Sequence, residues 1–165
     1  MLQTHRQRCL HALSKNMKKI FIASDHAGFE FKKVLKDFLL QQGYEVEDCG
    51  PVMFDAQDDY PDYVLPCAQK VAEHEGSFGV VLGLSGQGEA MAANRIQGVR
   101  AAVYYGGPTE LLVLSREHND ANVLSLAAKF LTYNEMQEAV QLWLSGEFSG
   151  DERHVRRIKK LDVHK

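Results

Sequence analysis

The amino-acid sequence predicts an α/β protein, a three-layer α/β/α sandwich built around a five-stranded parallel sheet. Short apolar runs alternate with segments of helical periodicity, which is typical of parallel strands joined by right-handed crossovers. The third run, Phe78 to Leu84, is apolar almost throughout, as expected for a strand that helices cover on both faces. A chain of 165 residues can bury one core, so we expect a single domain.

The five predicted strands are the short apolar runs. The first strand begins directly after Met17. The runs are Ile20 to Ala23, Tyr44 to Glu47, Phe78 to Leu84, Val99 to Tyr105 and Asn122 to Leu126. In an open parallel sheet, ligands bind outside the carboxyl ends of the strands, so the residues that follow each run are the first candidates for function.

Two helices are predicted from apolar residues that recur at helical spacing. The first helix has one apolar face and is expected to end at Gly43. Its face consists of Phe31, Val34, Leu35, Phe38 and Leu39. The second helix begins with a capping box of Thr132 and Glu135 and ends at Gly146. Its face consists of Met136, Ala139, Val140, Trp143 and Leu144.

Three prolines help to place the remaining helices and the longest loop. Pro108 suits the first turn of a helix that runs to about His118. Pro66 is less suited to the interior of a helix that starts near Asp62, so an irregular start is expected there. Residues 50–61, which end in Pro61, form the longest predicted loop.

Composition and charge exclude several classes of protein. Hydrophobic residues make up 45% and charged residues 25%, and the net charge is −3, which argues against a nucleic-acid-binding protein. No window of 18 apolar residues occurs, so no membrane span is expected. The cysteines Cys9, Cys49 and Cys67 are odd in number and lack C-x-x-C spacing. This pattern argues against a disulfide framework and favours the reducing cytosol. No Cys/His cluster has metal-ligand spacing, so no metal is expected.

Residues 1–16 carry Arg6, Arg8 and Lys15 but no acidic residue. Such a start is compatible with a transit peptide. The simpler interpretation, which we adopt, is an extension outside the core, with the domain spanning residues 17–165. We therefore expect a cytoplasmic protein.

The first strand is followed by Ser24-Asp25-His26-Ala27-Gly28. This turn brings a carboxylate and an imidazole to the ligand-binding edge of the sheet. Asp25 has a structural explanation of equal weight, because Asp is a preferred N-cap residue and a helix is expected from about Ala27.

The third strand leads into Gly83-Leu84-Ser85-Gly86-Gln87-Gly88-Glu89. Gly86 and Gly88 allow a tight turn and a close approach of the backbone to a ligand. The N-terminus of the next helix would direct N–H groups at a developing oxyanion. Ser85 adds a hydroxyl donor and Glu89 a carboxylate. We favour this functional interpretation over a simple strand-to-helix turn.

Three known glycine motifs do not match this segment. A Walker loop is excluded because no G-K-[ST] follows. A dinucleotide fingerprint is excluded because Met91 stands at the third glycine position. A hydrolase elbow is excluded because Gln87 occupies the last glycine of G-x-S-x-G.

Two further segments contain side chains that could be functional, but their positions in the sequence alone do not favour a functional role. His118 lies at a helix end before the fifth strand, where a histidine is often only a partner of the helix dipole. Arg153 and Arg157 lie four residues apart on a basic helix expected to be capped by Asp151, so they share a face. Two guanidinium groups can grip a phosphate, although a solvated basic face is the commoner explanation.

Taken together, these segments resemble the sugar-phosphate isomerases of the ribose-5-phosphate isomerase B type, a family that includes galactose-6-phosphate isomerase subunits. The resemblance covers about residues 17–160. It rests on SDHAG (24–28), DCG (48–50), DDYP (58–61), GLSGQGEAMAANR (83–95), REHNDANVL (116–124) and RHVRR (153–157).

The resemblance implies a Rossmann-like fold and a homodimer or tetramer whose active sites are shared between subunits. It implies a metal-free and cofactor-free interconversion of ribose 5-phosphate and ribulose 5-phosphate. Glu89 matches the catalytic base, and His118 matches the acid that opens the sugar ring. The loop that holds the enediolate matches Ser85, Gly86, Gln87 and Gly88. The sugar-binding positions match Asp25, His26 and Asn119, and the phosphate grip matches Arg153 and Arg157.

The chain also departs from the family pattern. One branch of the family places a cysteine base at the position of Gly83, whereas this chain has the glutamate of the other branch. Relatives in that branch often have glycine at the position of Leu84 and arginine at that of Lys129. Lysine lacks the planar guanidinium group of arginine. Leu84 and Lys129 are both expected to bind substrate, so these two departures affect which sugar is preferred.

The chemistry of an aldose–ketose isomerase accounts for the residue types. One carboxylate can move a proton between C2 and C1, and Ser85 and the loop amides can stabilise the enediolate. His118 and Asp25 are the candidates for ring opening. The helix N-terminus lowers the pKa of Glu89 and burial raises it. The sequence does not decide which influence is larger. The alternatives are a hexose-6-phosphate isomerase (galactose or allose 6-phosphate) and a non-enzymatic sugar-phosphate sensor.

Overall fold

A computed structural model describes residues 18–163. Within that range, five strands alternate with six α-helices. The strands are β1 (Lys19–Ser24), β2 (Glu45–Asp48), β3 (Phe78–Gly83), β4 (Ala101–Tyr104) and β5 (Val123–Ala127). The helices are α1 (Phe29–Gln41), α2 (Pro61–Glu73), α3 (Gln87–Ala93), α4 (Glu110–Glu117), α5 (Tyr133–Ser145) and α6 (Glu152–Asp162). A short 3-10 helix, His26–Gly28, precedes α1. The predicted extension at residues 1–16 lies outside the described residues.

The five strands form one parallel sheet in the order β2-β1-β3-β5-β4. The central strand, β3, lies between β1 and β5, and every residue of β3 is buried. Helices cover both faces, so the predicted three-layer α/β/α sandwich with a five-stranded parallel sheet is confirmed. The predicted strand boundaries differ from the observed ones by one or two residues at most ends.

The alternation of side chains along β1 divides the core into two clusters. Ile20 and Ile22 face the cluster that contains apolar residues of α1 and α5, including the fully buried Trp143. Phe21 and Ala23 face the opposite cluster, which contains residues of α2 and α3. Successive residues of a strand point to opposite faces, so each layer of helices packs on its own set of β1 side chains.

The predicted ends of two helices are confirmed. Gly43 follows α1 with a φ of 86°, a conformation that glycine adopts without the strain of a side chain. The capping box is present at the start of α5: Thr132 Oγ1 accepts from the backbone N–H of Glu135, and the Glu135 carboxylate accepts from that of Thr132. Gly146 is the C-cap of the same helix.

Three local expectations are corrected by the structure. Pro108 does not lie in the first turn of α4, because the helix begins at Glu110 after an N-cap at Thr109. Asp151 occupies the N-cap position of α6, but its side chain makes no capping hydrogen bond and only its backbone carbonyl accepts from the first turn. The helix around Pro66 starts at Pro61 and continues through the exposed Pro66 to Glu73.

No helix among residues 18–163 is long and apolar enough to cross a membrane.

Candidate active site

The turn after β1 is organised by two aspartates. Asp25 Oδ1 accepts from the backbone N–H groups of Ala27 and Gly28, at 2.9 and 3.1 Å. The capping explanation for Asp25 is therefore confirmed, although the capped element is a single 3-10 turn. Asp58 accepts from both the backbone N–H of His26 (3.0 Å) and its Nδ1 (2.7 Å). This hydrogen bond raises the pKa of His26, so the imidazole is a stronger base than usual.

The loop after β3 is held in place by the neighbouring strand. Gly86 adopts a left-handed conformation with a φ of 72°, and a Cβ there would lie 3.2 Å from Ser125 Oγ and from the backbone of Leu126. The buried Ser125 hydroxyl donates to the Gly86 carbonyl at 2.6 Å. Ser85 Oγ accepts from the N–H of Gln87 at 3.4 Å, which leaves the Ser85 hydroxyl proton free to be donated to a ligand.

Glu89 lies in the first turn of α3 and its side chain is buried, with 4% exposure. The carboxyl group fits into the space that Gly83 leaves by having no side chain. Burial raises the pKa of Glu89, and the negative charge of Asp25 raises it further. A hydrogen bond from its own backbone N–H acts in the opposite direction. Of the two influences that the sequence left open, burial is therefore the larger.

The side chain of Tyr60 packs against the loop that follows β3. A Cβ on Gly88 would lie 2.9 Å from Tyr60 Cζ and 3.1 Å from its hydroxyl oxygen, so the aromatic ring lies directly against the Gly88 backbone. This contact requires a residue without a side chain at position 88. It brings the predicted loop at residues 50–61 against the glycine-rich segment.

The end of β5 reaches the same edge of the sheet. The backbone N–H of Lys129 donates to the carbonyl of Leu84 at 3.2 Å, and that of Ala128 donates to Gly83 at 2.9 Å. Lys129 and Leu84 are both exposed, Leu84 to 55%. The two departures from the family pattern are thus neighbours. We call Asp25, His26, Ser85, Glu89 and Lys129 the carboxyl-end cluster.

A second group of predicted site residues lies where α4 ends and α6 begins. His118 is the C-cap of α4, and its ring centroid lies 4.4 Å from that of His154 on α6. His154 is 3% exposed, and its Nδ1 lies 3.0 Å from Ser149 Oγ. Burial, followed by the neighbouring His118, lowers the pKa of His154.

Arg153 and Arg157 flank His154 on the exposed surface of α6. Arg153 makes a loose ion pair with Asp151 at 3.8 Å, and Arg157 makes none with another residue of the 18–163 segment. Asn119 is exposed and borders a cavity of about 440 Å³ beside the start of β4 and the end of α6. We call His118, Asn119, Arg153 and Arg157 the amino-end cluster.

The two clusters lie at opposite ends of the strands, one at the carboxyl ends and the other at the amino ends. The strand register pairs Gly83 with Ala127 at the carboxyl ends and Gly79 with Val123 at the amino ends. His118 and Asn119 precede Val123, whereas Glu89 and Lys129 follow the strand ends. At about 3.3 Å per residue, β5 alone separates the two edges by roughly 13 Å. One chain therefore does not bring Glu89 and His118 together.

Comparison with known proteins gives the family. Residues 20–161 match the family described as Ribose/Galactose Isomerase. The chain belongs to this family. The match covers nearly all of β1, the other four strands and nearly all of α6, so both clusters lie within the matched residues.

Relatives in this family are similar over most of their length. Ribose-5-phosphate isomerase B of Mycobacterium tuberculosis is 37% identical over 143 residues, which cover 87% of each chain. The probable ribose-5-phosphate isomerase B of Mycoplasma genitalium is 41% identical over 143 residues, covering 86% of this chain and 92% of that one.

Solved structures of family members have the same fold. The crystal structure of ribose-5-phosphate isomerase B from Mycoplasma genitalium with bound ribulose 5-phosphate has a TM-score of 0.83 and 39% identity, covering 88% of this chain and 95% of that chain. The Thermotoga maritima enzyme has a TM-score of 0.83 and 40% identity, covering 90% and 99%.

Sequence reasoning assigned no role to several residues that shape the site. Asp58 and Tyr60 belong to the DDYP segment, which contributed to the resemblance, but nothing in the sequence indicated their contacts with His26 and Gly88. Ser125 lies in the middle of a predicted strand. Its polar side chain at a position expected to be buried is the only sign in the sequence that it forms a hydrogen bond, and it does not indicate the partner. The contact between His118 and His154 depends on how α6 packs, which periodicity does not report.

Proposed function

We propose that this chain is an aldose–ketose isomerase that interconverts ribose 5-phosphate and ribulose 5-phosphate through an enediolate. The observation that carries the proposal is the buried Glu89 carboxyl group beside Gly83, with a raised pKa, at the carboxyl ends of β1 and β3. Membership of a family whose relatives are named ribose-5-phosphate isomerase B supports the same assignment.

In the proposed mechanism, the Glu89 carboxylate takes the proton from C2 of the open-chain aldose and returns it to C1. A base whose pKa is closer to the working pH transfers protons more effectively than an ordinary surface carboxylate. The negative charge that develops on the substrate oxygens is stabilised by the Ser85 hydroxyl and by amide groups of the Gly86–Gly88 loop. Ser125 holds this loop in place before substrate arrives.

A complete site requires two copies of the chain in this proposal. The carboxyl-end cluster contributes the base, and the amino-end cluster of a second copy contributes His118 for ring opening and Asn119 for the sugar. Arg153 and Arg157 of that second copy bind the phosphate, because their guanidinium groups are exposed and weakly engaged. A twofold arrangement creates two equivalent sites of this kind.

A hexose 6-phosphate is the second candidate substrate, and one observation favours testing it. Leu84 and Lys129 lie next to each other at the mouth of the carboxyl-end cluster, so both departures affect the same part of the pocket. A hexose phosphate is one carbon longer than a pentose phosphate, so its contacts with the apolar Leu84 side chain and the charged Lys129 side chain would differ from those of a pentose phosphate.

The test is a turnover assay with ribose 5-phosphate, allose 6-phosphate and galactose 6-phosphate, each in the presence of a chelator. Ribose 5-phosphate should give the highest kcat/KM. A higher value for a hexose would replace the proposed substrate with the longer sugar. Thermal stabilisation by these sugar phosphates without turnover of any of them would instead indicate a sensor.

A further inference from the structure

The structure brings together two cysteines that lie far apart in the sequence. Cys49 follows β2, and its backbone N–H donates to the Ile22 carbonyl at 2.8 Å, which fixes its position beside β1. Cys67 lies on α2 and is fully buried. Both side chains belong to the core cluster on the α2 face of the sheet.

Two contacts hold the segments around these cysteines together. Lys70 is ion-paired with Glu47, and a Cβ on Gly50 would lie 2.9 Å from the Tyr63 ring. Cys49 lies between residues 47 and 50 and Cys67 between residues 63 and 70, so the two cysteines are neighbours in different environments.

The interaction between the two thiols lowers the pKa of Cys49 and raises that of Cys67. The ammonium group of Lys70, which is ion-paired with Glu47, also lowers the pKa of Cys49. Cys49 is partly exposed. The pair therefore consists of a partly exposed thiol with a lowered pKa and a buried thiol beside it.

We propose that Cys49 and Cys67 form a modification site at which a hydroperoxide converts the two thiols into an intramolecular disulfide. The neighbouring positions of the two cysteines and their unequal exposure carry this assignment. Neither cysteine belongs to the carboxyl-end or the amino-end cluster, so this proposal does not rest on the proposed isomerase activity.

The chemistry has two balanced steps. The Cys49 thiolate attacks one oxygen of the hydroperoxide and breaks the O–O bond, which gives a sulfenic acid and releases hydroxide when hydrogen peroxide is the oxidant. The Cys67 sulfur then attacks the Cys49 sulfur and displaces the hydroxyl group. The Cys67 proton leaves with that group as water, and the two sulfurs together have lost two electrons to the peroxide.

Burial determines the order of these steps. An oxidant reaches Cys49 first, because Cys67 has no exposed surface. The sulfenic acid on Cys49 then has a neighbouring thiol in the same core cluster, and this proximity favours the disulfide over further oxidation to a sulfinic acid. A thiol-reducing agent restores both cysteines.

The test uses the full-length chain with Cys9→Ser, which removes the third thiol. The reduced protein is treated with excess hydrogen peroxide, unfolded in N-ethylmaleimide and analysed by mass spectrometry without reduction. No Lys or Arg occurs between Lys36 and Lys70, so trypsin leaves both cysteines in one peptide. Cleavage at the aspartates between them, such as Asp55, separates the two halves unless a disulfide joins them.

We expect a linked pair of peptides that has lost two hydrogen atoms and that dithiothreitol separates. With Cys67→Ala, Cys49 should instead be trapped by dimedone as a sulfenic acid. With Cys49→Ser, Cys67 should remain free to react with N-ethylmaleimide after unfolding. The proposal is overturned if Cys49 becomes a sulfinic acid while Cys67 stays free, or if both thiols survive the peroxide unchanged.

Discussion

The carboxyl group of Glu89 occupies the space where a side chain of residue 83 would be. A Cβ on Gly83 would lie 1.8 Å from Glu89 Oε1 and 2.2 Å from its carboxyl carbon. The two positions therefore share one space at the end of β3, and only one of them can present a functional group there. This relationship explains why glutamate at position 89 is combined with glycine at position 83.

Gly83→Ala should displace the Glu89 carboxyl group and lower kcat, because the added methyl group and the carboxyl group cannot occupy the same space. We expect a loss of about 10²-fold or more, within the range for a positioned general base. The measurement is steady-state kinetics with ribose 5-phosphate. The same substitution in a Glu89→Gln background should have little further effect, since the displaced base is already absent. Equal losses in both backgrounds would contradict the shared-space explanation.

Glu89→Gln should retain the fold and lower isomerisation by about 10²–10⁴-fold, because an amide cannot accept the substrate proton. Exchange of the C2 proton with deuterated solvent, followed by NMR, should fall in parallel. Glu30→Gln is the matched control. It removes an exposed carboxylate whose ion pair with Lys33 lies on the surface of α1, and it should leave both rates unchanged. Exchange at the parental rate in Glu89→Gln would refute the proposed base.

Glu89 should make the stability of the protein depend on pH in a direction opposite to that of a salt-bridged carboxylate. Its pKa is raised in the folded chain above the usual value of 4.5, so the folded chain binds this proton more tightly than the unfolded chain. The resulting stabilisation is present below about pH 4.5 and is lost as the pH rises through the folded pKa. The Tm of Glu89→Gln relative to the parent should therefore be higher at pH 7 than at pH 4. A difference in Tm between Glu89→Gln and the parent that is the same at pH 4 and pH 7 would show that burial does not change the pKa of Glu89.

Asp58→Asn should lower the pKa of His26 towards its usual value of 6.5, because the hydrogen bond from the His26 imidazole to the Asp58 carboxylate is the main cause of the increase. The measurement is an NMR titration of the imidazole proton of His26. Asp55→Asn is the control, since Asp55 contributes only through a weaker electrostatic interaction. Similar shifts in the two variants would indicate that general negative charge, and not this hydrogen bond, controls His26.

Two inactive variants should restore activity when their subunits are mixed, if the site is shared between copies. A dimer of one Glu89→Gln chain and one His118→Asn chain contains one site with both parental residues. Random exchange of subunits should give about a quarter of the parental activity. A mixture of Glu89→Gln with Ser85→Ala is the control. These two residues lie in the same cluster, so every mixed site keeps a defect. No recovery in the first mixture would contradict the proposed sharing.

The sheet, its layers and the ends of α1 and α5 were predictable because they depend on local signals. Apolar periodicity places the strands, and Gly43, Thr132 and Gly146 mark helix ends within a few residues. The contacts that define the site are different. Gly88 against Tyr60 and Gly83 against Glu89 join segments whose separation in space depends on the packed sheet. The sequence pattern predicted a turn role for Gly88 but none for Gly83, and it did not indicate which side chain packs against either glycine.

The start of α6 shows a second limit of sequence reasoning. Asp151 stands at the N-cap position, as its residue type predicts, yet its carboxylate does not bond to the first turn. The helix is instead anchored by the burial of His154 against His118. This tertiary contact outweighs the local capping preference, and no local signal reports it.

The hydrogen bond from Ser125 to the Gly86 carbonyl makes the loop after β3 dependent on its neighbouring strand. A chain in which β5 has not yet joined the sheet lacks the group that holds this loop, even if β1 and β3 are already paired. Catalytic competence should consequently emerge only after β5 has joined the sheet. Partial unfolding that begins at the β5–β4 edge would abolish turnover before most of the secondary structure is lost.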